Sequence, residues 1–152
     1  MDAADTISCL NGLIETCRNG ELGYAEAAHL VHDTQLQTVL EGYAKERAGF
    51  VRALQAEVTK LGGTPAESGS VGAAVHRGWM DLKSALTGGS SSAILAACES
   101  GEDSAWTHYK EATDSPLSGE SRALVDKQWE KIKQAISHLQ HLQGELTEKK
   151  PD

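Results

Sequence analysis

The chain has 152 residues with a formal net charge of −8 at pH 7, and that length suits one hydrophobic core, so we predict a single domain over residues 1–152. The acidic balance, without a Lys/Arg cluster, argues against binding to nucleic acid or to an anionic membrane surface. No apolar run approaches the 18 or so residues of a membrane span, and none resembles a signal peptide, so we expect a cytoplasmic protein.

The composition favours an all-α fold. One Phe and a hydrophobic fraction of 39% leave a core of Ala, Leu, Val and Ile, which suits closely packed helices. Cys9, Cys17 and Cys98 occur singly within helical patterns, without the paired spacing of a zinc site or a disulfide framework. We interpret them as reduced thiols.

The first predicted helix covers about residues 6–32, with Asp5 or Thr6 as its N-cap. Its apolar stripe has helical spacing and consists of Ile7, Leu10, Ile14, Cys17, Tyr24, Ala28 and Val31. Three glycines, Gly12, Gly20 and Gly23, weaken this helix. They indicate close helix packing or a local distortion near Glu21.

The second predicted helix covers about residues 34–62, is capped by Asp33 or Thr34, and ends at Gly62-Gly63. A long connection follows, in which a short helix is predicted over about residues 71–87. Its apolar residues are Val71, Val75, Trp79, Leu82 and Leu86.

Serines 90 to 92 cap a third helix over about residues 92–114, and Ser118 caps a fourth over about 118–147. The turns near Asp33 and Pro116 are tight, whereas the connection between helices two and three is long enough to run the length of the bundle. This arrangement makes helices two and three parallel. We therefore predict a ferritin-like four-helix bundle with a long crossover that carries a short extra helix.

Acidic residues interrupt the apolar stripes at similar heights in the predicted bundle. Glu21 and Glu46 lie at equal distances from the turn near Asp33, and Glu102 reaches the same level in the third helix. Glu99 precedes Glu102 by one turn, and Gln128 is the polar counterpart in the fourth helix. Because an unpaired buried carboxylate is costly, the pattern predicts a metal site formed by Glu21, Glu46, Glu99 and Glu102, for iron, manganese or zinc.

An alternative remains open, in which these acids rotate toward the helix seams and pair with Arg18, Arg47 or Lys110. The second helix carries either Glu46 or Arg47 on its apolar stripe. The helices lack the Glu-x-x-His signature of di-iron bundles, and a site made of oxygen ligands favours hard cations. No catalytic motif is present, so the pattern does not favour an enzyme.

Two histidine runs have helical spacing, and we interpret both as solvated polar faces. The first is Glu26, His29 and His32, and the second is His138, His141 and Glu145. Trp79, in the predicted crossover helix, is a candidate contact of a homodimer surface, and the alternative is that it packs in the core.

Several segments resemble an uncharacterised bacterial family of ferritin-like four-helix-bundle proteins, catalogued as a domain of unknown function. The segments are 10–17, Glu46-Arg47 with Phe50, 54–58, 76–79 with Leu82-Lys83 and 86–88, and 101–103. The family is distantly similar to stress-induced proteins with rubrerythrin-like folds. The resemblance implies a dimeric bundle suspected of metal binding, without an established activity. Relatives often carry an acid at Ala53 and a histidine at Ile136, and both departures remove possible inward ligands.

Two functional hypotheses follow from these patterns. In the first, the bundle handles a divalent metal or a di-metal centre under stress through its carboxylate cluster. In the second, it is a non-enzymatic homodimeric structural or interaction protein with a vestigial, metal-free site.

Overall fold

A computed structural model describes the backbone of residues 1–67 and 90–149, and the side chains as far as residue 146. It contains the helices α1 (Ala3–Leu30), α2 (Thr34–Lys60), α3 (Ser91–Asp114) and α4 (Gly119–Lys149), and no strand occurs in the described ranges. The predicted all-α four-helix bundle is confirmed. The predicted helix over 71–87 lies outside the described residues. No helix of the described ranges combines the length and the apolar character that crossing a bilayer requires.

The helices begin at side chains that accept hydrogen bonds from their first turns. Asp33 accepts from the backbone N–H groups of the first turn of α2, and Ser90 does so for α3, which confirms both predicted caps. The predicted cap of α1, Asp5 or Thr6, was wrong. The Asp2 carboxylate accepts the N–H of Asp5 at 2.8 Å, and this bond satisfies an N-terminal donor of a helix that begins at Ala3.

Side-chain contacts between helices define the topology. Thr16, near the middle of α1, contacts His108 late in α3, whereas Tyr24, later in α1, lies beside Glu102, earlier in α3, so these helices are antiparallel. Tyr43 and His138 form one such contact between α2 and α4, which are also antiparallel. Because α1 and α2 form a hairpin, α2 and α3 run in the same direction. The ferritin-like assignment stays a prediction.

The hydrophobic core consists of two clusters, one on either side of a polar layer. One cluster contains α1 residues up to Cys17 and α3 residues from Ala105 onward. The other contains α1 residues from Tyr24 onward and α3 residues up to Cys98. The buried pair Arg47 and Glu102 lies between them in the helix order. Charged residues therefore interrupt the core at mid-height, as the positions of the acids predicted.

Candidate functional site

Two of the predicted acids converge on an arginine in the polar layer. Nη2 of Arg47 lies 3.0 Å from Oε2 of Glu102, and both side chains are only 2% exposed. The same nitrogen lies 3.7 Å from Oε1 of Glu46, whose side chain is 30% exposed. A guanidinium from α2 therefore lies between carboxylates of α2 and α3.

The other two predicted acids lie away from this pair. Glu21 is one-third exposed and lies 4.0 Å from the similarly exposed Arg18. Glu99 is half-buried and lies close enough to Cys98 to contribute to the raised pKa of that thiol. Within residues 1–67 and 90–146, no three His, Cys, Asp or Glu side chains are grouped in a way that could hold a metal ion. The metal ligand set stays a prediction.

The structure resolves which residue of α2 faces the interior. Arg47 is 1% exposed, and Gly20 on α1 makes room for its stem, because a Cβ at position 20 would lie 3.3 Å from the Arg47 Cγ. The guanidinium carbon lies 5.1 Å from the ring centre of Phe50 and 5.7 Å from that of Tyr24. Aromatic faces therefore stabilise the buried cation together with Glu102.

Burial and ion pairing have opposing effects on the two charges. Burial raises the pKa of Glu102, and the positive charge of Arg47 and the nearby Tyr24 hydroxyl lower it, with a net rise. For Arg47, burial has the largest single effect and lowers the pKa, but the neighbouring acidic groups, Glu102 first among them, together outweigh it and the net direction is upward. Since arginine is already protonated at all ordinary pH values, the interior cation is permanent.

A hydrogen-bonded chain continues from the layer toward α4. The Tyr109 hydroxyl donates to Oε1 of Gln128 at 2.7 Å, and Nε2 of Gln128 donates to the Phe50 carbonyl at 3.3 Å. Because the Tyr109 proton is used in this way, Cys17, whose Sγ lies 2.9 Å from the same hydroxyl oxygen, must be the donor of an S–H bond. Burial also raises the pKa of Cys17 to about 12, so its thiol is protonated at neutral pH.

The second histidine run divides between the interior and the surface. The half-buried His138 lies with Nδ1 2.6 Å from the hydroxyl of Tyr43, so its interpretation as a solvated residue was wrong. Tyr43 draws the ring inward because a partly buried hydroxyl requires a hydrogen-bond partner. His141 is exposed and pairs with Glu145 at 3.0 Å on the outer side of α4, as predicted.

A cleft of about 170 Å³ opens between α1 and α3 beside the polar layer. Its floor contains Cys17, Arg47 and Glu102, and Gly101 and His108 lie at its mouth. Two nitrogens of the Arg47 guanidinium, Nε and Nη1, have no hydrogen-bond partner among the described residues. The sequence left undecided whether Glu46 or Arg47 faces this interior, and the structure places Arg47 there.

Comparison with known proteins identifies a family without assigning an activity. No curated protein matches the chain significantly. One family profile matches residues 5–115, a range that includes most of α1, all of α2 and α3, and both partners of the Arg47–Glu102 pair. The chain therefore belongs to the family described as Domain of unknown function (DUF2383).

Proposed function

We propose that the protein is a non-enzymatic structural or interaction bundle in which the guanidinium of Arg47 takes the place of a metal ion among interior carboxylates. The observation that carries the proposal is the position of Arg47 Nη2, 3.0 Å from Glu102 and 3.7 Å from Glu46. These acids belong to the predicted metal cage. Arg47 supplies the compensating charge that buried carboxylates need.

The charges in the layer disfavour a second cation. A divalent ion bound by Glu46 and Glu102 would lie within a few ångströms of a permanent positive charge, and it would have to displace Arg47 from Glu102. The displaced guanidinium would remain buried without its main partner. Iron, manganese or zinc would therefore bind at a cost that a carboxylate cage without an arginine does not have.

The interior thiols also support a non-enzymatic role. The Cys17 thiol donates a hydrogen bond to Tyr109, and burial raises the pKa of Cys98, as it does that of Cys17, to about 12. The thiolate is the nucleophilic form of cysteine, and so neither residue is activated at neutral pH. Both behave as packing groups in the hydrophobic clusters on either side of the polar layer.

Elemental analysis of protein purified without chelators tests this proposal against the predicted metal function. We expect well below one equivalent of iron, manganese or zinc, and no calorimetric uptake of Mn²⁺ or Zn²⁺. Stoichiometric metal that is lost in a Glu102→Gln variant would refute the proposal and support the cage of Glu21, Glu46, Glu99 and Glu102.

A substitution of Arg47 sharpens this test. Arg47→Met frees Glu46 and Glu102, and we expect it to increase Mn²⁺ affinity at least about tenfold, because a repulsive charge beside the carboxylates is removed. Arg18→Met is the matched control, since it removes a surface guanidinium near Glu21. Equal affinities of the two folded variants would contradict a special role of Arg47.

The proposal retains the predicted homodimer, whose candidate surface includes Trp79, a residue outside the described ranges. Light scattering at micromolar concentration measures the oligomeric state, and a monomer would remove this part of the proposal. The cytoplasmic location and the stress-related role stay predictions.

A further inference from the structure

The cleft between α1 and α3 is lined both by exposed residues and by the buried arginine. Its mouth includes the exposed residues Gly101, Ser104 and His108, and its floor includes Arg47 and Ile132, both buried. Small residues on both helices create the opening. Gly20 lines it on α1, and a side chain built on Gly101 of α3 would meet nothing within 4 Å.

Arg47, which lines this cleft, carries unpaired hydrogen-bond donors. Its only hydrogen bond to the described residues runs from Nη2 to Glu102, and both Nε and Nη1 are buried without a partner. A buried donor without an acceptor is unfavourable for the folded state, and more so when the donor is charged. A ligand that supplies acceptor oxygens at Arg47 would recover this free energy.

The charges around Arg47 select among acceptors. One guanidinium already faces the carboxylates of Glu102 and Glu46, so the group carries a formal charge of −1 when both acids are ionised. An anionic ligand would place a third negative charge at this buried position. A neutral carbonyl oxygen accepts the same hydrogen bonds without adding charge.

The size and lining of the cleft limit the rest of the ligand. A cavity of about 150 Å³ accommodates a molecule such as benzene, and this cleft has about 170 Å³. Apolar surface from Ala105 and Ile132, together with the protonated thiols of Cys17 and Cys98, lines the space beside the guanidinium. This environment suits a short hydrocarbon group attached to one polar end.

We propose that the cleft between α1 and α3 binds a small neutral molecule that presents a carbonyl-type oxygen to Arg47 and an apolar group to Ala105 and Ile132. This binding site goes beyond the structural role proposed above. If elemental analysis found a bound metal, the proposed structural role would fail, but the ligand site could still be tested, because the probes below contain no metal.

Nuclear magnetic resonance titration of the full chain tests the site directly. The probes are butanamide, butanoate and butylammonium, which share a hydrocarbon chain and differ in charge. We expect butanamide to shift the Arg47 Nε–H resonance and the Gly20 and Gly101 amides, with a dissociation constant of about 1 mM. Butanoate and butylammonium should bind at least about tenfold more weakly because each adds a charge to a buried site.

Two variants and one control locate the binding. Gly101→Leu places a side chain over the mouth without touching Arg47, and Arg47→Lys keeps the charge while removing the Nε and Nη1 donors. Each should weaken butanamide binding about tenfold or more. Gly144→Leu is matched to the first, because Gly144 is also a helical glycine with open space around its Cβ, and it lies outside the cleft. It should change the affinity by less than about twofold.

Four results of these titrations would contradict the proposed site or part of it. The proposal is overturned if butanamide gives no saturable shift up to roughly 50 mM, or if Gly101→Leu and Gly144→Leu bind it equally well. Tighter binding of butanoate would show an anion site and overturn the neutral ligand class. Arg47→Lys that retains wild-type affinity would show that the unpaired donors do not contribute.

Discussion

The buried pair of Arg47 and Glu102 should be strongly coupled, and a double-mutant cycle measures the coupling. The variants are Arg47→Met, Glu102→Leu and the combination of both. Each single change removes the buried partner of a charge that is 2% exposed, whereas the double change replaces the pair by apolar groups of similar volume. Breaking a buried pair typically costs about 3–5 kcal/mol, and replacing both partners is often close to neutral.

The geometry gives the expected size of each effect. Arg47→Met should reduce the free energy of unfolding by about 3–5 kcal/mol, because Glu102 is then buried beside the partly exposed Glu46. Glu102→Leu should cost less, about 2–3 kcal/mol, since Arg47 keeps Glu46 at 3.7 Å and its contacts with aromatic rings. The double variant should lie within about 2 kcal/mol of the wild type. The coupling energy is then at least about 3 kcal/mol.

Urea unfolding at neutral pH, followed by far-UV circular dichroism, measures all four proteins. Lys110 and Asp114 provide the control cycle, because their charged atoms are closer, at 2.8 Å, but the side chains are 48% and 66% exposed. Exposed pairs of this kind contribute about 0.3–0.5 kcal/mol. If the effects of the two interior substitutions simply add, or if both cycles give the same coupling, burial does not strengthen the Arg47–Glu102 interaction and the reasoning is refuted.

Three further predictions concern protonation and the hydrogen-bonded chain. Burial raises the Glu102 pKa above its unfolded value of about 4.3. Protonated Glu102 therefore stabilises the fold most at low pH. This contribution to the free energy of unfolding falls, by at most about 1.4 kcal/mol per pH unit, as the pH rises through the pKa of the folded state. The stability of wild type relative to Glu102→Gln should therefore decrease over that range, and a constant difference would contradict the shift. Cys17 and Cys98, with pKa values raised to about 12, should resist a disulfide reagent at pH 8 until the protein is unfolded; stoichiometric native labelling of both would contradict their burial. Tyr109→Phe should cost about 1–3 kcal/mol in urea unfolding because Gln128 loses its donor, and adding Gln128→Leu should recover part of this; a further loss of similar size would show that the two residues are not coupled.

The helices were predictable because their signals are local. Apolar spacing and end signals such as Asp33 and Gly62 depend on a few neighbouring residues, and each predicted boundary within the described ranges lies within about three residues of the observed one. The error at the start of α1 shows the limit of such signals. Asp2 and Asp5 are both good caps, and only the surrounding structure determines which one accepts the first hydrogen bond.

The height of the polar layer was also predictable, but its chemistry was not. Counting from the turns places Glu46 and Glu102 level, and the structure brings both to one guanidinium. Adjacent helical residues differ by about 100° in direction, so a small error in the helical phase exchanges Glu46 for Arg47 on the inner face. With Glu46 on the inner face, the layer would contain one more carboxylate able to bind a metal. With Arg47 there, a guanidinium occupies the same region.

Gly20 is the sequence feature that distinguishes Arg47 from Glu46 as the buried residue of α2. The Arg47 stem passes where a Cβ of residue 20 would be 3.3 Å away, so a long side chain from α2 needs a glycine opposite it on α1. Glu46, on the partly exposed side of α2, has no such need, and the glycine therefore favours Arg47 as the buried residue. Gly20 is also one of the residues that line the cleft between α1 and α3. One small residue thus both admits the buried cation and contributes to the opening through which a ligand would reach it.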